Sequence, residues 1–286
     1  MTKIFGLRMS IIGDTIMALP ILDHLEEVFG EYEMIFIIAK KCKQAKPLYL
    51  NQKNITHIKI SDLDEDLGPE DLKLAAECDL VINPKPTHPF ILEEADWYNH
   101  RHCVDETALM AGINPDSMKS KTPKLEQYWE DPHSFNRKTI CIWPFAGYGG
   151  AVMAGFERSP TKEWWGRLIK RLIKEGYDIC HFGVECEPDL SKSDKYKKFT
   201  NLSLFEQVQT SLCCDLAIGT DSGSMWVLGA YHKIPQINLL TNWQVNHHSN
   251  PFAFGPVSSN GINLFASGGC DNIPQEKVLE HFENLI

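Results

Sequence analysis

Two short segments place an acidic residue among small and hydroxyl-bearing ones, just where an apolar run gives way to helical spacing. In Met9-Ser10-Ile11-Ile12-Gly13-Asp14-Thr15, Asp14 opens a stretch in which Ile16, Leu19, Leu22, Leu25 and Phe29 recur at the spacing of a helix face. A negative charge is favoured at a helix N-terminus, which suits a carboxylate that meets a ligand. It suits an ordinary N-cap equally, and spacing alone does not choose. The second segment, Gly219-Thr220-Asp221-Ser222-Gly223-Ser224, comes after the short strand expected at 215–218 and leads into another helical stretch. Small residues let a ligand approach the backbone, and the free N–H groups of a helix start can hold a phosphate. A tight, capped turn would have the same composition. The segment is not a P-loop, because no GxxxxGK[ST] is present.

These segments need elements that hold them, and the chain supplies strands and helices in alternation. Short apolar strands are expected at 3–8, 34–39, 57–60 and 79–83, with helices at 14–29 and 104–111. Pro20 fits the first of these helices only with a local kink or near a first turn. Residues 115–138 contain Pro123, Pro132 and many polar residues and read as a linker. The pattern then restarts, with strands at 139–143, 177–182, 215–218 and 236–240 and helices at 161–175, 204–212, 223–231 and 274–285. Alternation on both sides of a linker implies two doubly wound α/β domains, residues 1–135 and 136–273, with a terminal helix within 274–286. Doubly wound sheets bind ligands beyond the carboxyl ends of their strands. The loops to search are therefore 9–15, 84–89, 144–160, 183–187 and 219–224.

Composition narrows the class further. The chain has 286 residues, 43% of them hydrophobic, and no apolar run approaches the length that spans a bilayer. The N-terminus lacks the pattern of a secretory signal. A net charge of -10 argues against a general nucleic-acid binder. The charge is uneven: residues 1–135 carry 14 Lys and Arg against 23 Asp and Glu, and residues 136–286 carry 14 against 15. The nine cysteines form no CxxC pair and read as reduced thiols of a cytoplasmic protein. His100, His102 and Cys103 cluster, as do His247 and His248, but neither group has a second half at metal-site spacing, so no metal site is expected.

Four segments, taken in order, resemble the motifs of glycosyltransferase family 9, the heptosyltransferase-like members of the GT-B superfamily. Gly13-Asp14 after a short strand, with Leu19-Pro20 beyond, is similar to the family's N-terminal motif. Arg158-Ser159-Pro160-Thr161-Lys162-Glu163-Trp164-Trp165 resembles its Lys-x-Trp-Pro entry into a helix. Gly183-Val184-Glu185-Cys186-Glu187 resembles its Gly-x-x-x-Glu after the next strand. Asp221-Ser222-Gly223, with Leu228-Gly229-Ala230-Tyr231-His232-Lys233-Ile234-Pro235 beyond it, resembles its phosphate loop and the helix after it. One position departs: the family often has His on that helix where this chain has Trp226. An indole offers one donor and no charge, and reads as core packing.

The resemblance implies a GT-B fold, two Rossmann-like domains facing across a cleft, with the terminal helix crossing back to the first. It implies inverting, metal-independent transfer of a sugar, often a heptose, from a nucleotide sugar such as ADP-heptose to an acceptor hydroxyl, without a cofactor. Asp14 would be the general base. Arg158 would stand where the family usually has lysine and stabilise the departing diphosphate. Glu187 would accept bonds from the donor ribose, and Asp221, Ser222, Gly223 and Ser224 would line the diphosphate site. Lys40, Lys41 and Lys85, on segments after first-domain strands, are candidate contacts for a glycan, lipid-linked glycan or protein acceptor. The Lys40–Lys46 cluster also reads as a solvated helix start. Lipopolysaccharide biosynthesis, with peripheral contact at the inner membrane face, fits the family. Two other readings compete: a non-catalytic nucleotide-sugar-binding protein, and a GT-B-like epimerase or hydrolase of sugar nucleotides.

Overall fold

The structure is a computed structural model that describes residues 2–9, 12–63, 67–82, 102–146, 158–241, 255–256 and 258–286. The chain divides into two compact units, Met1–Tyr128 and Trp129–Ile286.

The first unit is built on four parallel strands: β1 (Thr2–Met9), β2 (Tyr32–Ile38), β3 (His57–Ile60) and β4 (Leu80–Val81), in the order β3-β2-β1-β4. The single helix expected over 14–29 is two helices, α1 (Ile12–Met17) and α2 (Leu19–Phe29), separated at Ala18. Pro20 falls in the first turn of α2, where its missing N–H has no intrahelical partner to lose. Ile16, Ile21, Leu22 and Leu25 are buried, as their spacing requires. Between β1 and β2 the register slips, with Phe5 opposite Ile35 but Arg8 opposite Ile37. This one-residue bulge lies in the carboxyl half of β1, close to the α1 connection; a bulge bends its strand and re-aims the segment beyond it.

Residues Lys40–Tyr49 form a 3-10 helix. Its buried residues Cys42, Ala45 and Leu48 recur every third position, which matches three residues per turn and sends Lys40, Lys41 and Lys43 to the surface. Two α-helices, α3 (Pro69–Ala76) and α4 (Cys103–Met110), and a 3-10 turn at Pro115–Ser117 also belong to this unit.

The expected linker is divided between the units. Glu126 exchanges two hydrogen bonds with the Gln52 side chain, at 2.8 and 3.0 Å, and Tyr128 donates to the Pro47 carbonyl, so this stretch belongs to the first unit. Trp129 packs edge-on against Phe205 and Tyr231, and Lys233 pairs with Asp131, so the chain joins the second unit seven residues before the expected boundary.

The second unit has six parallel strands, β5 (Thr139–Trp143), β6 (Asp178–Phe182), β7 (Tyr196–Phe199), β8 (Leu216–Thr220), β9 (Gln236–Thr241) and β10 (Gly261–Ala266). Their order is β10-β9-β8-β5-β6-β7. The helices are α5 (Lys162–Lys174), α6 (Leu204–Ser211), α7 (Gly223–Tyr231) and α8 (Gln275–Leu285). Side chains alternate across the sheet. Ile140, Ile142, Leu216, Ile218, Ile237 and Leu239 form one core with Trp164, Trp165 and Leu168 of α5 and Val278 and Phe282 of α8. On the other face Trp143 donates to Ser211 of α6 at 3.2 Å, and Gln236 lies against Gly229 of α7. Trp226 is buried at 2% exposure, in keeping with core packing.

The terminal helix, expected to cross back to the first unit, has its apolar stripe in the core of the second. The cause lies at its start: Trp164 donates to the Ile273 carbonyl at 3.1 Å, Gln275 donates to the Trp164 carbonyl at 2.6 Å, and Arg171 pairs with Glu276. These bonds lay α8 along α5, and Phe282 then meets Tyr177 edge-on, with ring centroids 4.9 Å apart. Phe282→Ala should therefore destabilise the second unit by ~3–5 kcal/mol. Chemical denaturation monitored by tryptophan fluorescence checks this, since Trp164 and Trp165 report on the same core; a cost under ~1 kcal/mol would contradict the packing.

Candidate functional site

Strands β5, β6 and β7 run outward on one side of the second sheet, and β8, β9 and β10 on the other, so the order reverses between β5 and β8. Connections leaving the carboxyl ends of two such strands diverge to opposite faces and open a crevice between them. Both connections carry residues singled out by the sequence.

After β8 the chain turns at Asp221 and enters α7. Ser222 is the N-cap, its Oγ accepting from the Met225 N–H at 3.4 Å. By helix geometry the amides of Gly223 and Ser224 are left as outward donors. Gly219 makes the turn possible. A Cβ there would come within 2.5 Å of Met225 Sδ and 3.0 Å of the Trp143 carbonyl, so only glycine lets the first turn of α7 lie against β5.

From the other side comes Arg158, just before α5. Its Nη2 donates to Asp221 Oδ2 at 2.7 Å and to the Asp221 carbonyl at 2.9 Å. The two side chains are 32% and 19% exposed, so the pair is reachable from solvent. Beneath it, the buried Cys270 thiol donates to the Arg158 carbonyl at 3.2 Å. Burial, and then the neighbouring Asp221 and Asp271, push that thiol up to about 12, which keeps it a neutral donor. Arg158, Asp221, Ser222, Gly223 and Ser224 are thus brought together. The guanidinium, paired with the Asp221 carboxylate, lies beside a helix N-terminus whose amides favour an anion.

Glu187 is placed differently from its expected role. Only 7% of it is exposed, and both carboxylate oxygens bond within the protein. Oε1 accepts from the Val184 N–H at 3.2 Å, and Oε2 lies 2.8 Å from Nε2 of the fully buried His181. Tyr196 Oη accepts from the Leu190 N–H at 3.2 Å and lies 2.5 Å from His181 Nδ1. The phenol therefore donates to Nδ1, and the imidazole proton is assigned to Nε2, facing Glu187. Burial pushes the Tyr196 hydroxyl up to about 12, so it remains a donor. Glu187 accordingly fixes the 183–187 turn from inside and leaves Val184, Glu185 and Cys186 exposed at its tip. A Cβ at Gly183 would overlap the Glu187 carboxylate, so glycine is required there too. The sequence signals Gly-x-x-x-Glu, but nothing in it signals that His181, inside a strand and outside the motif, takes the carboxylate.

In the first unit the order reverses between β1 and β4, and α1 comes directly after β1. Asp14 is in the first turn of α1; its side chain lies outside the described residues, as do Lys85, His100, His247 and His248. Lys40 and Lys41 are exposed. His102 caps α4, its Nδ1 accepting from the Val104 N–H at 3.2 Å. All nine cysteines are free thiols. Among the described residues no group of three or more His, Cys, Asp or Glu is placed to hold a metal ion, and no helix is long and apolar enough to cross a membrane.

Two parallel sheets, each with its reversal point next to a strand–helix junction, define the GT-B class of fold. The chain has the fold of an ADP-heptose lipopolysaccharide heptosyltransferase II from E. coli, with a TM-score of 0.73 at 15% identity over 100% of this chain and 98% of that one. It shares the fold of a glycosyl transferase of family 9 from Veillonella parvula as well, with a TM-score of 0.72 at 17% identity over 99% and 97% of the two chains. The E. coli heptosyltransferase WaaC with ADP matches at 0.66 and 13% identity, over the whole of both chains. TibC, an iron-containing dodecameric glycosyltransferase from E. coli, matches at 0.62 and 14% identity, over 91% of this chain and 62% of that one. No protein-family model and no curated protein sequence matches the chain.

The buried Tyr196–His181–Glu187 relay gives a direct test. His181→Ala strands the Glu187 carboxyl and the Tyr196 hydroxyl, and should destabilise the second unit by ~2–5 kcal/mol. Differential scanning calorimetry should register this as a fall in Tm of ~2–4 °C for each kcal/mol. An unchanged Tm would show that the relay does not hold the turn.

Proposed function

We propose that the chain is an inverting glycosyltransferase of the family 9, heptosyltransferase-like kind. It moves a sugar from a nucleoside diphosphate donor to an acceptor hydroxyl. The observation that carries the reading is the Arg158–Asp221 pair at the N-terminus of α7, at the reversal point of a GT-B sheet. It is supported by the fold shared with heptosyltransferases, one of them with ADP.

In this reading the second unit holds the donor. Arg158 and the amides of Gly223 and Ser224 receive the diphosphate, and Asp221 orients the guanidinium. The first unit holds the acceptor, with Lys40, Lys41 and Lys85 as its cationic contacts. The acceptor oxygen attacks the anomeric carbon from the side opposite the diphosphate. The new C–O bond forms as the bond to the phosphate oxygen breaks, the electron pair leaves with the diphosphate, and the acceptor proton passes to Asp14. One displacement inverts the anomeric centre. No cofactor and no metal ion takes part: the positive charge that steadies the leaving group is the guanidinium's. A heptose carried on ADP is the first donor to try. A glycan hydroxyl, lipid-linked or on a protein, is the acceptor class for this cytoplasmic chain; a lipid-linked acceptor would bring it to the inner membrane face.

Two variants separate the roles. Asp14→Asn should fold and bind ADP as the unaltered protein does, while transfer from ADP-heptose falls ~10²–10⁴-fold. Arg158→Ala should weaken ADP binding and slow transfer together, because it removes a charge-assisted contact. Calorimetric titration with ADP and a coupled assay for ADP release check both. Near-normal turnover by Asp14→Asn would remove it as the base, and an unchanged affinity in Arg158→Ala would move the diphosphate elsewhere.

A further inference from the structure

Thr220 is the last residue of β8 and has no exposed surface. Its hydroxyl has no hydrogen-bond partner among the described residues. A buried hydroxyl in that state has given up its bonds to water and received nothing in return. Valine has nearly the same shape, a similar preference for strands and no such penalty. Packing and local structure therefore give no reason for the hydroxyl at this position.

Its location does. Strand alternation puts Thr220 on the face of Leu216 and Ile218, the face covered by α5. It lies in register with Leu239 of β9, whose carbonyl accepts the Cys270 thiol that also bonds the Arg158 carbonyl. The hydroxyl is thus on the side from which Arg158 reaches Asp221, and the next residues in the chain are Asp221, the cap Ser222 and the donor amides of α7. A buried hydroxyl with no partner among the described residues thus comes one residue before the Asp221 carboxylate that Arg158 bonds and two before the cap of α7.

We propose that Thr220 is a further donor-binding residue: its hydroxyl completes the anion site by donating to a phosphate oxygen of a nucleoside diphosphate, directly or through one water. This rests on the glycosyltransferase reading and extends it to a residue outside the motif that suggested it. The threonine hydroxyl has no partner among the described residues and gains one when the diphosphate arrives, which would make it part of a preorganised site.

The proposal separates binding from stability, and the test uses both. Thr220→Val and Thr220→Ser are compared with the unaltered full chain, by calorimetric titration with ADP and with inorganic pyrophosphate and by thermal melting. Thr220→Val should melt no lower than the unaltered protein yet bind both probes about tenfold more weakly or worse, equivalent to ~1.4 kcal/mol or more. Thr220→Ser should keep most of the affinity. A Thr220→Val protein that binds both probes as before overturns the proposal. So does one that melts well below the unaltered protein, because the hydroxyl then has a structural partner. If the unaltered protein binds neither ADP nor pyrophosphate, the glycosyltransferase reading itself fails, and this proposal with it. If it binds both and the valine variant binds them equally well, this proposal fails alone.

Discussion

A parallel sheet that grows outward from a central strand in both directions must reverse its order once, and at that point the connections part to opposite faces. In the second unit this reversal falls between β5 and β8, and the rest of the candidate site depends on it. Gly219 has no Cβ because α7 must lie against β5. Ser222 caps α7 so that its first amides point outward. Arg158 crosses the opening to Asp221, and the neutral Cys270 thiol holds the Arg158 carbonyl from below. Each of these features makes sense only relative to the gap between two strand ends.

The second unit also holds several polar groups, buried or half-buried, within its sheet. The Tyr196–His181–Glu187 relay lies under the 183–187 turn, and Gln236, Asn238 and Asn263 form an amide ladder across β9 and β10. Buried polar groups are tolerated when they bond one another, and the resulting network fixes geometry more narrowly than apolar packing does. The 183–187 turn is held in this way through Glu187. The acidic first unit has its own example in Asp71. Burial alone would raise its pKa, but bonds from Lys59, Ser61 and the Gly68 amide outweigh this and hold the carboxyl below its ordinary range. Its stabilising contribution is therefore present above the unfolded pKa and is lost as pH falls through the lower, folded one.

How much of this is legible in the sequence depends on what each residue's surroundings require. Central strands such as Thr139–Trp143 are buried on both faces, so their apolar runs are unmistakable. The edge strand Tyr196–Phe199 carries Lys197 and Lys198 and has no such run, and β10 at the other edge is interrupted by Asn263. The 3-10 helix at Lys40–Tyr49 has an apolar period of three, which a search for α-helical spacing passes over. At the site, the 219–224 turn is legible as a strand–helix junction whose composition suits a phosphate or a plain cap, and Arg158 is singled out only by the family resemblance. Glu187 is legible as a position but not as an environment: its partner His181 is an ordinary-looking strand residue, and only the fold brings the two together. The terminal stripe is legible as a buried face, while its partner is decided by bonds from Trp164 that no periodicity encodes.

The central claim is that a nucleoside diphosphate sits at the reversal point of the second sheet. Hydrogen–deuterium exchange of the full chain, measured with and without saturating ADP, tests it most directly. The account predicts slower exchange at the amides of residues 222–225 and around Arg158, with the core strands unchanged. Protection confined to other segments, with the start of α7 exchanging as it does in the free protein, would contradict it.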